Sequence, residues 1–202
     1  MITIVLRSLY IFIYALLQLY IVEHFDKEAG IYTKDKYVPL LVTSILVGIA
    51  LSLSEADTNY GITLYQSIFF AYILVCAYID YQTKKVYDFM HVLPAMLGIA
   101  YCLQSHTEHN LVELAIFIGL QLFLFSRMYG FGDCLVFSVC AIYITVFQGE
   151  LMEYLYLMSI TFIVLALVQW KRRNINRQGN LKEAVALVPY IGAAMVWMGI
   201  VL

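Results

Sequence analysis

GITLYQSIFFAYILVCAYIDYQTKKVYDF, residues 61–89, decides the fold. Residues 61–79 carry no charge, and Asp80, Lys84, Lys85 and Asp88 then follow in quick succession. A helix needs about 20 apolar residues to cross roughly 30 Å of hydrocarbon, so this stretch reads as a transmembrane helix ending in a charged turn. Seven other stretches have the same character: 2–22, 38–54, 86–103, 111–126, 134–150, 151–170 and 184–202. No segment shows the ten-residue alternation of a membrane β-barrel. The connections are mostly short, without Gly/Ser or Pro-rich linkers, and 2–22 runs too long for a signal peptide and lacks a small-residue cleavage site before Glu23. Composition agrees: 63% of residues are hydrophobic and only 13% charged, against about 25% charged in soluble domains. The expected fold is all-α, a polytopic transmembrane helical bundle of about eight spans.

The basic residues orient the bundle. Lys27, Lys34 and Lys36 fall in segment 23–37, Lys84 and Lys85 in 80–85, and Arg127 just before the sixth span. Lys171, Arg172, Arg173, Arg177 and Lys182 fall in 171–183. With eight spans these segments share one side and hold 11 of the 12 basic residues, Arg7 being the exception. The opposite connections (SEADTNY, LQSHTEHN, QGE) have no Lys or Arg. Basic loops stay in the cytoplasm, which puts both termini outside and the chain in the cell membrane as a multi-pass protein. A net charge of −2 gives no reason to expect nucleic acid. The four cysteines, Cys76, Cys102, Cys134 and Cys140, stand singly in apolar stretches, as small hydrophobes rather than a disulfide framework or a zinc site.

Carboxylates at membrane depth are costly unless paired or hydrated, which makes them candidates for chemistry. Asp80 ends the third span and Asp133 opens the sixth, 53 positions later. That interval allows a helix out, a short outer loop and a helix back, so both carboxylates return to the cytoplasmic end at similar depth. Two adjacent carboxylates resist ionising together, so one keeps a proton. The carboxylate can then take a proton from water that attacks a peptide carbonyl, while the acid protonates the carbonyl oxygen and later the leaving amine. Gly130 and Gly132, flanking Phe131, give the backbone freedom before Asp133 and room for a substrate strand. A purely structural alternative is helix capping. It stays open for Asp88, which sits near a helix start, and for Asp133. It is disfavoured for Asp80, which ends its helix, where the dipole repels an anion.

These residues resemble the type IV prepilin peptidases. The run from Asp80 to Asp88, with its basic turn, looks like the first motif of that family, and Tyr129–Asp133 (YGFGD) looks like its GxGD motif. The spans over 61–202 match the six-helix core in order, leaving two extra N-terminal helices and a short cytoplasmic loop in 1–60. The resemblance implies an aspartyl endopeptidase with Asp80 and Asp133 as the catalytic pair and Asp88 as a supporting residue. It implies prepilin-like substrates in the bilayer, a basic leader followed by one apolar helix, cleaved after a small residue at the cytoplasmic face. Neither metal nor organic cofactor is needed. Tyr87 stands where the family usually has Pro, and no cysteine-tetrad insertion occurs, so the chain is similar to the small peptidase-only branch. Lys182–Pro189 is loosely similar to a Lys/Pro-containing last helix. A groove between the 61–79 and 134–150 helices is the expected lateral route for substrate.

Presenilin-like proteases also use GxGD, with a YD motif that Tyr87-Asp88 matches literally. There the motifs lie on consecutive helices, whereas 45 positions and a whole additional helix separate Asp88 from Asp133 here. A proton- or cation-coupled transporter using Asp80, Asp88 and Asp133 is the rival from another class. It would place them near the midplane on broken helices. A non-catalytic scaffold of a secretion system is a third reading. His106 and His109 form an HxxH in an outer loop, more simply a solvated loop than a metal site. His91 and Glu113 are accounted for by packing and a hydrated interface.

Overall fold

The computed structural model describes residues 2–25, 37–54, 60–105, 108–147, 149–175 and 185–201. The basic residues at 27–36 and 177–182, residues 55–59 and His106 lie outside these residues, as does the His109 side chain. All elements among the described residues are helical. They are α1 (Ile2–Phe25), α2 (Tyr37–Ser54), α3 (Tyr60–Thr83), α4 (Phe89–Ser105) and α5 (Glu108–Leu120). A π-helical turn (Gln121–Phe125) and a last α turn (Ser126–Tyr129) continue α5. Then come α6 (Phe131–Val146), α7 (Leu151–Ile175) and α8 (Val188–Val201). Each expected span has one helix, with shifted ends: α3 runs four residues past 79, and α6 starts three residues before 134 and stops at 146.

Among the described residues, four stretches are long and apolar enough to cross a membrane by length and composition: Val5–Phe25, Gly61–Thr83, Asn110–Tyr129 and Leu151–Lys171. This makes the chain a membrane protein of the helical-bundle type. The helices between them are shorter but apolar: Val38–Ser52, Phe89–Gln104, Phe131–Val146 and Val188–Met198. The outer surface fits a lipid solvent. Phe123, Met128, Leu103 and Trp170 point outward, a display that would be an aggregation hazard in water.

Contacts between helix ends establish the up-and-down order. At one end, Arg7 of α1 donates from Nη1 to the Leu51 carbonyl of α2 (2.8 Å) and from Nη2 to Thr63 Oγ1 at the start of α3 (3.5 Å). Glu113, early in α5, accepts the Leu151 N–H at the start of α7 (2.8 Å). At the other end, Phe25 meets Phe89 (centroids 5.6 Å apart), and Val188 meets Asp80. The one basic residue that departed from the charge pattern, Arg7, is thus buried (2% exposed) against helix α2, whose terminal carbonyls lack intrahelical donors. Lys84, Lys85 and Arg127 lie at the opposite end.

Helix α3 is the central element: 61% of its apolar window is buried, against 17% for α5 and for α7. It packs against α1, α4 and α8. Helix α6 is buried continuously from Val136 to Thr145. Phe69 of α3 stacks on Tyr143 of α6 (centroids 4.0 Å apart, planes 18° apart), with Tyr65 and Phe70 around it. Helix α4 closes on α6 where Gly98 faces Ile142 and the Tyr65 hydroxyl, so near that a Cβ would collide with both. The four cysteines are free and buried, as small hydrophobes should be. The two helices that carry Asp80 and Asp133 are therefore the interior of the bundle, and α8 packs against both.

Candidate active site

Asp80 lies in the last full turn of α3 rather than at its end. The helix closes at Lys84, whose φ of 57° lets its N–H bond the Asp80 carbonyl (2.9 Å), an ending in the left-handed conformation common at helix C-termini. The Asp80 side chain is 5% exposed. Its Oδ2 accepts the N–H of Val188 (2.9 Å), the first residue of α8. The first N–H groups of a helix have no intrahelical acceptor, and the dipole there favours an anion. Asp80 therefore does act at a helix N-terminus, though not its own. The expectation that capping is disfavoured considered only α3 and is corrected by a partner 108 residues away. Pro189, at the second position of α8, was the local sign of a helix start at this point.

Asp133 is in the first turn of α6 and half-buried. The break before it is Gly130, with φ 106° and ψ 151°, a region of backbone space that is nearly exclusive to glycine. The freedom expected for Gly130 is thus used. Gly132 differs: it is helical, and a Cβ there would stand 3.2 Å from Val86 Cβ. Its use is close approach, because it lets the 84–88 connection lie against the start of α6. The two sequence motifs therefore touch through Val86 and Gly132, and the Asp80 and Asp133 carboxylates come within electrostatic reach of each other.

Asp88 is not part of this pair. It is exposed and immediately precedes α4, where its carbonyl accepts the His91 N–H (3.3 Å). Tyr87 packs beside Phe89 (centroids 5.9 Å apart). Lys84 Nζ donates to the Tyr81 carbonyl (2.9 Å), and Lys85 is exposed, so the turn after Asp80 forms a basic rim. His91 is buried and shares a hydrogen bond with the Tyr72 hydroxyl (2.6 Å). Glu113 ties α5 to α7. Both fit the structural reading given to them. Val86 escaped the sequence reading, and Val188 and Tyr129 entered it only as members of the Lys182–Pro189 and YGFGD stretches with no role of their own, because none carries a charge. Tyr129, immediately before the Gly130 break, donates its hydroxyl proton to Gln121 Oε1.

The arrangement offers two carboxyl groups at one end of the bundle, one anchored to a backbone N–H and the other on a helix start set by a glycine break. Two carboxyl groups within electrostatic reach of each other resist ionising together, so one tends to keep its proton. No protein-family model, curated protein or solved structure matches the chain.

Proposed function

We propose that the chain is a membrane-embedded aspartyl endopeptidase that removes short basic leaders from prepilin-like, single-helix substrates at the cytoplasmic face. The observation that carries this reading is that Asp80 and Asp133, 53 positions apart in sequence, lie at the same end of the two innermost helices and within electrostatic reach of each other. In the proposed reaction a water lies between the two carboxyls. The ionised one takes its proton as the water oxygen attacks the scissile carbonyl. The protonated one donates to the carbonyl oxygen and, as the tetrahedral intermediate collapses, a proton passes to the leaving amine. The Val188 N–H holds Asp80 in place through these steps.

The substrate class rests on the resemblance of Asp80–Asp88 and Tyr129–Asp133 to the two prepilin-peptidase motifs. Eight spans with both termini outside would put this end of the bundle in the cytoplasm, since Lys84, Lys85 and Arg127 lie there. Transport is less well supported, because Asp80 and Asp133 occupy the terminal turns of their helices rather than breaks at mid-length. The presenilin-like reading is weakened by α4 and α5, which intervene between Asp88 and Asp133.

Co-expression with a candidate prepilin, read by the shift in its gel mobility, tests the proposal. Wild type should release the leader, and Asp80→Asn and Asp133→Asn should leave the precursor intact while accumulating in the membrane. Leader removal by either variant would remove the dyad from consideration.

A further inference from the structure

Gln121 is completely buried in a helix that otherwise turns apolar residues to its surroundings. It opens the π-helical turn Gln121–Phe125. Such turns widen a helix by one residue and gather at functional positions. Its Oε1 accepts the Tyr129 hydroxyl proton, and its Nε2 lies 3.2 Å from the Met158 thioether of α7. A thioether is a weak acceptor, so the amide is poorly matched on one side. Stability alone would favour an apolar side chain here, since replacing a buried polar pair by apolar groups of the same shape is close to neutral. The well-matched contact is the one to Tyr129.

Tyr129 is gripped from several directions. Its ring stacks on Phe125 (5.9 Å, 16°) and lies against Phe137 and Phe162 (5.7 Å each). Cys134, next to Asp133, lies beside its hydroxyl. Between Tyr129 and Cys134 runs Gly130, whose backbone restrains its own direction least of all residues. We propose that Gln121 and Tyr129 form a latch at the Gly130 break: Gln121 fixes Tyr129 just before the break, and the Tyr129 ring against Phe137 carries that hold past it to α6. It joins the π turn that follows α5 to α6 and so sets the position of Asp133. Both are positioning residues: they act through the helix start that carries the acid. The catalytic part of this inference rests on the peptidase reading, whereas the latch itself does not.

Thiol protection tests the latch without any substrate. Wild type, Gln121→Leu, Tyr129→Phe and the double variant are purified and exposed to N-ethylmaleimide for timed intervals, and the adducts are located by mass spectrometry. Cys134 is buried in the native protein, as are Cys76 and Cys140 on the neighbouring interior faces. Each single variant should expose Cys134 about tenfold faster, the change expected when one hydrogen bond is lost from a local opening. The double variant should add nothing, since either change cuts the same connection. Cys76 and Cys140 should stay as protected as in wild type. Unchanged protection of Cys134, additive acceleration, or equal opening at Cys76 and Cys140 would each overturn the latch. In the cleavage assay the single variants should lose about 100-fold in kcat with KM unchanged, the scale expected for a misplaced reacting group. A wild-type protein that cleaves no prepilin would count against the peptidase reading, and the thiol pattern would still decide the latch.

Discussion

Replacing Asp80 by asparagine keeps an oxygen acceptor for the Val188 N–H and removes the carboxylate, whereas alanine removes both. The two substitutions therefore separate chemistry from scaffolding. Asp80→Asn should abolish cleavage at little cost in stability, and Asp80→Ala should in addition destabilise the bundle by about 1–3 kcal/mol, the cost of a buried N–H left unpaired. Thermal unfolding in detergent, compared between the two, checks this; equal melting would deny the anchoring role. At Gly130 the argument is steric. With φ at 106°, a β-carbon is strained in any direction, so Gly130→Ala should cost about 1–3 kcal/mol and depress cleavage by tilting α6. Gly132→Ala is different in kind. Its new methyl would press on Val86 and should lower cleavage with a smaller loss of stability. That both glycines matter was legible in YGFGD. That one serves a backbone bend and the other a close approach was not, because the second depends on where residues 84–88 come to lie.

Helix packing gives a sharper test than propensity. Helix α4 touches α6 where Gly98 leaves no room for a β-carbon beside Ile142 and Tyr65. Gly98→Val should force these helices apart, as overpacking typically costs about 1–3 kcal/mol. The damage should spread to the Phe69–Tyr143 stack, which spans α3 and α6. Loss of melting temperature together with faster proteolysis of the purified protein would be the expected signature. The element boundaries were the least legible part of the sequence. Hydropathy ended α3 at residue 79 because Asp80 is charged, yet the helix continues through Asp80 to Thr83. A buried acceptor for the Val188 N–H removes the reason a carboxylate would otherwise end an apolar helix. Likewise α6 begins before its apolar run, because Gly130 rather than hydrophobicity marks the break.

For the bundle as a whole, the prediction concerns sidedness. Alkaline phosphatase fused after residue 57 or after residue 106 should be active, and fused after residue 86 or after residue 178 it should be inactive, since basic connections resist export. Activity at residue 86 would put Asp80 and Asp133 on the outer side and exclude leader cleavage in the cytoplasm. Arg7 does not weaken this expectation. Its guanidinium is bound to the Leu51 carbonyl and Thr63 inside the bundle, so it serves packing and is not free to act as a loop charge.

The sequence by itself determined the all-helical class, the number and order of the apolar helices and the two carboxylates worth attention. These properties are local or nearly so: a run of apolar residues must satisfy its own backbone in a helix, and a charge stands out within it wherever the chain folds. Only the tertiary structure decided which groups meet. The Val188 N–H reaches Asp80 across 108 residues, Val86 fills the space at Gly132, and Gln121 holds Tyr129 just before a glycine break. None of these partners is charged or periodic, so no pattern in the chain marks them. They follow from how α3, α5, α6 and α8 pack, and that packing sets buried Asp80 and half-buried Asp133 apart from the exposed Asp88.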